Sequence, residues 1–132
     1  MIKHRYFLGL TLGLAFFLGA CVEEPLTGSA DAVVLTGSSF TVAERVADGT
    51  QLTVRGTVKN NGSKMWSPVW IVEGEFYADS TYALKLGGSI KRFNFSLEKG
   101  AATSWELRFT SNDFDVSDYP KFAVKNLRVT QQ

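Results

Sequence analysis

Strict alternation of apolar and polar residues is the feature that most constrains the fold of this chain. Residues 51–59 place Leu52, Val54, Gly56 and Val58 on one side and polar residues on the other. A period of two residues is that of a β-strand with one buried face, whereas a helix repeats every 3.6 residues. The sequence therefore predicts a half-buried strand in this segment.

Short runs of the same kind occupy most of the chain after its first thirty residues. They cover residues 33–42, 69–77, 93–97, 104–110 and 122–129, and helical periodicity is nearly absent. Short strands separated by turn residues at intervals of about ten positions are typical of all-β sandwiches. We therefore predict an antiparallel, immunoglobulin-like β-sandwich of about six to eight strands.

Turn residues suggest how these strands are joined. The Asn-Gly pair at Asn61 and Gly62 predicts a hairpin between residues 51–59 and 69–77, and a turn ending at Gly100 predicts a second hairpin. In the last strand, Phe122 and Val124 are out of phase with Leu127 and Val129, which predicts a β-bulge near Asn126.

The first twenty residues have a different character. Lys3, His4 and Arg5 precede an apolar run over residues 6–18, which small residues follow. A helix over this run is about 20 Å long and falls short of a hydrocarbon core of about 30 Å. Residues 1–20 therefore predict a secretory signal peptide. The alternatives are an ordinary secretory cleavage site that a cysteine happens to follow, and an apolar N-terminal helix with a buried thiol.

The end of this leader resembles the lipobox of bacterial lipoproteins. It consists of Leu18, Gly19, Ala20 and Cys21, a branched apolar residue and two small residues before a cysteine. The resemblance implies cleavage before Cys21 and attachment of membrane lipid to its thiol. The chain is then a bacterial membrane lipoprotein.

Residues after the cysteine bear on sorting in such lipoproteins. Val22 is not the aspartate that retains enterobacterial lipoproteins at the inner membrane, so the resemblance favours the outer membrane. Glu23 and Glu24 resemble an acidic tract that some lipoproteins use for export to the cell surface. Residues 21–31 predict a lipidated flexible tether, and residues 32–132 predict one folded domain.

Composition excludes several classes of function. Without Lys3 and Arg5, 12 of the 14 basic residues remain against 13 acidic ones, so the chain after the leader lacks the basic excess of a nucleic-acid binder. His4 is the only histidine and Cys21 the only cysteine. The domain therefore lacks the commonest general base, the thiol nucleophile and the usual zinc ligands, and we expect neither enzymatic activity nor a cofactor.

Two groups of carboxylates remain as candidate sites. Asp113, Asp115 and Asp118 share one loop and provide oxygen ligands for Ca²⁺, although the loop lacks the glycine and terminal glutamate of an EF-hand, and a capped turn is the simpler interpretation. Glu73 and Glu75 lie two positions apart on one strand face. Such a pair suggests the acid and base of a glycosidase. The simpler interpretation is a polar strand face that keeps the sheet soluble, with Arg55 or Lys59 as partners across the predicted hairpin.

Three aromatic residues fall outside the main apolar face or opposite it. They are Trp66, Tyr77 and Tyr82. Flat rings of this kind stack on sugars or on a partner protein, and the alternative is that they pack over the ends and outer face of the sandwich. They form the candidate binding surface.

Four segments resemble the FxLYD-type, immunoglobulin-like modules of bacterial envelope proteins. They are residues 56–62 (GTVKNNG), 69–79 (VWIVEGEFYAD), 97–100 (LEKG) and 105–109 (WELRF). The resemblance spans about residues 50–129 and implies a structural or binding module. The leading hypothesis is a lipid-anchored, non-catalytic module that engages another envelope protein as an accessory or assembly factor. The alternative is a carbohydrate-binding or adhesive surface module.

Overall fold

A computed structural model describes residues 33–131. The predicted signal peptide, the lipobox with Cys21 and the tether lie outside the described residues. The described part contains seven strands: β1 (Val33–Leu35), β2 (Ser38–Asp48), β3 (Gln51–Asn60), β4 (Trp70–Tyr77), β5 (Lys85–Phe93), β6 (Ala102–Phe109) and β7 (Ala123–Gln131). One turn of 3₁₀-helix, Val116–Asp118, precedes β7. Across residues 33–131, no helix is long and apolar enough to cross a membrane.

The strands form two antiparallel sheets. Sheet A has four strands in the order β1-β7-β4-β5, and sheet B has three in the order β2-β3-β6. The predicted antiparallel β-sandwich is therefore confirmed, and its strand number falls within the predicted range. Strands β1 and β2 follow each other closely in sequence but belong to different sheets, as the interruption near Gly37 allows.

The core lies between the sheets and consists of the inward residues of both alternating patterns. Because side chains alternate between the two faces of a strand, a period of two residues buries one face of each sheet. The fully buried members include Leu52, Val54, Val58 and Leu107 from sheet B, and Trp70, Val72, Phe76 and Val129 from sheet A.

Both predicted hairpins are wrong. Strands β3 and β4 belong to different sheets, and so do β5 and β6. Asn60 holds the connection that follows β3. Its side-chain NH₂ donates to the carbonyls of Lys64 (2.9 Å) and Leu97 (3.0 Å), and its side-chain oxygen accepts from the backbone N–H of Gly62 (3.0 Å). The turn residues thus begin a longer connection between the two sheets, because a local reversal does not decide which strand is paired next.

The predicted bulge in β7 is confirmed. Glu73 pairs with Arg128 and Glu75 pairs with Lys125, so two residues of β7 lie opposite the single Gly74. Asn126 is one of the two, and its φ of 56° is in the left-handed region. The extra residue shifts the alternation by one position. Leu127 and Val129 therefore point into the core, as the change of phase in the sequence requires.

The sandwich has two ends that differ in their connections. The Val33 end carries the start of β1, the end of β7 and the connections at residues 36–37, 61–69 and 94–101. The Asp113 end carries the connections at residues 49–50, 78–84 and 110–122. The chain therefore enters the described domain at the Val33 end.

Candidate interaction surfaces

Exposed apolar side chains are concentrated at the Val33 end. The described residues include nine large apolar side chains that are exposed, and five of them belong to this end or to the first strand entering it: Val33, Val34, Met65, Val69 and Phe95. Val33 is 60% exposed and Phe95 is 48% exposed. Apolar side chains clustered on an otherwise polar surface mark a contact site more often than scattered ones do.

A buried aromatic cluster holds this apolar end in place. Trp70 stacks on Phe93 with ring centroids 4.1 Å apart, and Trp66 lies 5.2 Å from Trp70. Phe95 packs edge-on against both Trp70 and Phe93, and its carbonyl accepts a hydrogen bond of 2.7 Å from Trp70 Nε1. The exposed ring of Phe95 is thus fixed on a rigid base.

The three aromatic residues of the predicted binding surface do not come together. Trp66 is buried at the Val33 end, where it pairs with Leu97 in an isolated bridge. Tyr77 and Tyr82 lie at the Asp113 end and contact each other edge-on at 5.3 Å, and Lys125 Nζ lies 5.1 Å from the Tyr82 ring centroid. Of the three, only Tyr82 is exposed, at 40%.

Glu73 is a buried carboxylate on the outward side of β4. Its residue is fully inaccessible to solvent, and its carboxylate forms an ion pair with Arg128 of β7, directly across the strand pair. The guanidinium side chain of Arg128 is itself 18% exposed. This pair joins the two central strands of sheet A and is not a solvated polar face.

Glu75 lies two residues further along the same strand, where the Tyr77 hydroxyl donates to it at 3.5 Å and two more partners reach it from the neighbouring strands. Lys85 of β5 and Asn126 of β7 both donate to its carboxylate. Burial opposes ionisation of Glu75, but the hydrogen bonds from Lys85 and Asn126 outweigh burial, so the pKa of Glu75 is lowered. The carboxylate is therefore held ionised as a link across three strands.

The cations expected to pair with these glutamates are elsewhere. Arg55 lies on β3 in sheet B, where it bonds Glu44 (3.0 Å) and Glu106 across the two neighbouring strands. The expected pairing with Arg55 or Lys59 is therefore wrong, because it followed from the incorrect hairpin between β3 and β4.

The aspartate loop forms a capped turn. Asp115 Oδ1 accepts from the backbone N–H (2.9 Å) and hydroxyl (2.7 Å) of Ser117, which lowers the pKa of Asp115 and caps the 3₁₀ turn. Asp113 instead donates its backbone N–H to Ser111. Within residues 33–131, no group of three or more acidic, histidine or cysteine side chains is arranged to hold a metal ion.

The outer edge of β2 is the longest free strand edge of sheet B. This eleven-residue strand pairs with β3 on one side and, within the described residues, with no strand on the other. The middle of the strand faces a groove of about 490 Å³ lined by Val42, Ala43, Glu44 and Arg45, with Val124 of β7 on the opposite wall. A bulge at Ala43 interrupts the pairing register, so the edge is not a uniform template for strand pairing.

Alternation alone does not reveal these surfaces. Met65, Val69 and Phe95 lie in connections or beside them, where no period assigns a side chain to a face. The Asn-Gly turn signal nearby predicted a hairpin and no surface. The β2 edge depends on which strands pair, which no local pattern specifies.

Comparison with known proteins adds no relative. No protein-family model, no curated protein and no solved structure matches the chain.

Proposed function

We propose that this protein is a lipid-anchored, non-catalytic module that binds another protein of the bacterial envelope. Cys21 would carry the lipid, in line with its lipobox-like context, and the outer membrane is the proposed location because Val22 replaces the retention aspartate. The resemblance of residues 50–129 to FxLYD-type envelope modules supports the same class of function.

One observation carries the protein-binding part of the proposal: the free edge of β2 beside the groove. An extended segment of a partner binds such an edge through its backbone, while side-chain pockets provide selectivity. Val42 is 48% exposed and Val124 forms the facing wall, so the groove offers apolar contact. Arg45 borders the groove, and Glu44 beside it already accepts a hydrogen bond from Arg55, which favours a partner segment that presents a carboxylate to Arg45.

The bulge at Ala43 fits a selective site. A long, flat strand edge pairs indiscriminately and leads to aggregation, whereas a bulged edge accepts only a segment that fits its irregular shape. The β2 edge therefore combines accessibility with shape selectivity.

The test is affinity purification of the full-length protein from detergent-solubilised membranes. We expect a stoichiometric envelope protein to be recovered with the wild type and to be lost with Val42→Asp, because a carboxylate in the groove must be desolvated when the partner binds. Leu84→Asp is the matched control, since Leu84 is 52% exposed and lies at the Asp113 end, away from the groove.

Two results would contradict the proposal. Repeated recovery of the lipoprotein alone would show that it binds no stable partner. Equal recovery of the same partner with wild type and Val42→Asp would place the interaction outside the β2 groove.

A further inference from the structure

We infer that the Val33 end is a membrane-contact surface, which rests its exposed apolar side chains on the lipid bilayer and directs the Asp113 end away from it. The inference depends on the proposed lipid anchor at Cys21 and adds to it an orientation and a second point of contact with lipid.

The chain between the anchor and the domain is short. Eleven residues, 22–32, separate Cys21 from Val33. Fully extended, they reach at most about 36–40 Å. Strand β7 runs from the Asp113 end to the Val33 end, and its nine residues span about 30 Å. The Asp113 end could be the only part of the domain in contact with the membrane only if the tether covered the length of the sandwich, about 30 Å, whereas the Val33 end reaches the bilayer with a compact tether as well.

The side chains at the Val33 end have the chemistry that a bilayer interface favours. Val33, Met65, Val69 and Phe95 are all exposed there, and they come from three separate segments that meet at one end of the sandwich. A bilayer interface favours such groups, aromatic rings in particular, because their apolar parts leave water. The packing of Phe95 on Trp70 holds its ring in position before contact, so little side-chain freedom is lost on binding.

The two ends of the sandwich differ in charge. The connections at the Val33 end carry Lys64 and Lys99 against Glu98, a net charge of +1. Those at the Asp113 end carry a net charge of −3, from Asp79, Asp113, Asp115 and Asp118 against Lys121. The tether adds Glu23, Glu24 and Asp31 on the side of the Val33 end, which brings the net charge on that side to −2. An anionic bilayer surface therefore repels the Asp113 end, at −3, more than the Val33 end. Charge and apolar exposure therefore favour the same orientation.

These observations favour lipid over a protein partner as the occupant of this end. A protein interface of ordinary size needs a broad surface on each side, about 800 Å² per partner. The Val33 end instead offers a few protruding apolar side chains beside basic ones, next to the point where the tether enters. This is the pattern of shallow interfacial contact.

The experiment places single labels at the two ends of the lipidated, full-length protein. Because Cys21 is the only cysteine and its thiol is consumed by lipid under the proposal, Met65→Cys and Leu84→Cys each provide one free thiol for a fluorophore. The two sites are matched, since both native side chains are apolar and exposed, at 43% and 52%. The protein is reconstituted in vesicles of phosphatidylethanolamine and phosphatidylglycerol that contain a nitroxide-labelled lipid.

We expect the protein to float with the vesicles in both cases. The label at position 65 should be quenched by the lipid-borne nitroxide and shielded from aqueous iodide, and the label at position 84 should show the reverse. Adding Val69→Glu to Met65→Cys should abolish the lipid-borne quenching without releasing the protein. Leu84→Glu in the same background should leave the quenching in place.

The other outcomes separate the inference from its premise. If the protein floats but iodide quenches both labels equally, the orientation is wrong while the anchor stands. If the label at position 65 is shielded from both quenchers, protein covers this end and the inference fails. If the wild type does not float at all, the anchor itself is wrong and the inference falls with it.

Discussion

At the scale of single residues, the glutamates of β4 show how charge is placed inside a sheet. Glu73 and Arg128 face each other across neighbouring strands, and Glu73 is completely buried. A buried carboxylate is stable only with a charged or hydrogen-bonding partner, because it has lost its hydration. Strand pairing supplies that partner, since directly opposite residues point to the same face.

Removing the cation should therefore be costly. We expect Arg128→Met to lower the free energy of unfolding by about 3–5 kcal/mol, since it leaves the Glu73 carboxylate buried without its countercharge. Arg55→Met is the control. Its side chain is 44% exposed, so loss of its surface ion pairs should cost about 1 kcal/mol or less. Urea unfolding measures both values, and equal losses would show that the Glu73 site is solvated.

Glu75 predicts a pH dependence. The pKa of Glu75 is lowered in the folded protein, so the unfolded state binds more protons in acid. The free energy of unfolding therefore decreases as the pH is lowered. The contribution is complete above the unfolded pKa of about 4.3 and is lost as pH falls through the folded pKa. Glu75→Gln should cost about 1 kcal/mol at neutral pH and flatten the acid limb of a plot of stability against pH. An unchanged acid limb would contradict this assignment.

At the scale of elements, the bulge in β7 reconciles two conflicting phases of side chains. Apolar residues on both sides of Asn126 face the core, although an odd number of positions separates one set from the other. In a regular strand, residues an odd number of positions apart point to opposite faces. The left-handed backbone at Asn126 inserts the extra residue, and its amide also bonds Glu75. Asparagine tolerates this conformation better than most residues with a side chain.

Two substitutions at this position separate backbone strain from the lost hydrogen bond. Asn126→Gly and Asn126→Val both remove the amide that bonds Glu75, but only valine opposes the left-handed conformation. We expect Asn126→Val to be less stable than Asn126→Gly by about 1–2 kcal/mol. Thermal or urea unfolding of the pair gives the difference, and identical stabilities would argue against a left-handed residue at the bulge.

At the scale of the whole molecule, the proposals assign different tasks to different parts of the sandwich. The Val33 end lies where the chain enters and carries the exposed apolar cluster, while the β2 groove lies along the side and stays accessible above a membrane. A module built in this way can hold a partner at a defined height and orientation, because one rigid domain carries both contacts.

The anchor itself gives the prediction at this scale. In wild-type cells we expect the protein in the membrane fraction, with an acylated N-terminal peptide that begins at Cys21. Cys21→Ser should abolish the acylation and release the protein from the membrane fraction, while the circular dichroism of the sandwich is unchanged, because its core lies within residues 52–129. Fractionation and mass spectrometry measure this outcome, and an unmodified cysteine in the wild type would disprove the anchor.

Sequence alone was sufficient for those features that depend on neighbouring residues. The alternation around Val54 predicted a strand and its buried face, and the change of phase around Asn126 predicted a bulge, because both follow from the two-residue period of an extended backbone. The capped turn at Asp115 was likewise a local matter, since its acceptor and donors lie two residues apart.

Tertiary structure alone decided which strands are neighbours and which side chains share a surface. Asn60 and Gly62 indicated a reversal, yet the chain crosses to the other sheet there, so Glu73 pairs with Arg128 and not with Arg55. Likewise, Trp66 and Tyr82 lie at opposite ends. The physical reason is that periodicity is a property of the local backbone, whereas strand pairing is selected by the burial of the whole core, to which residues distant in sequence contribute together.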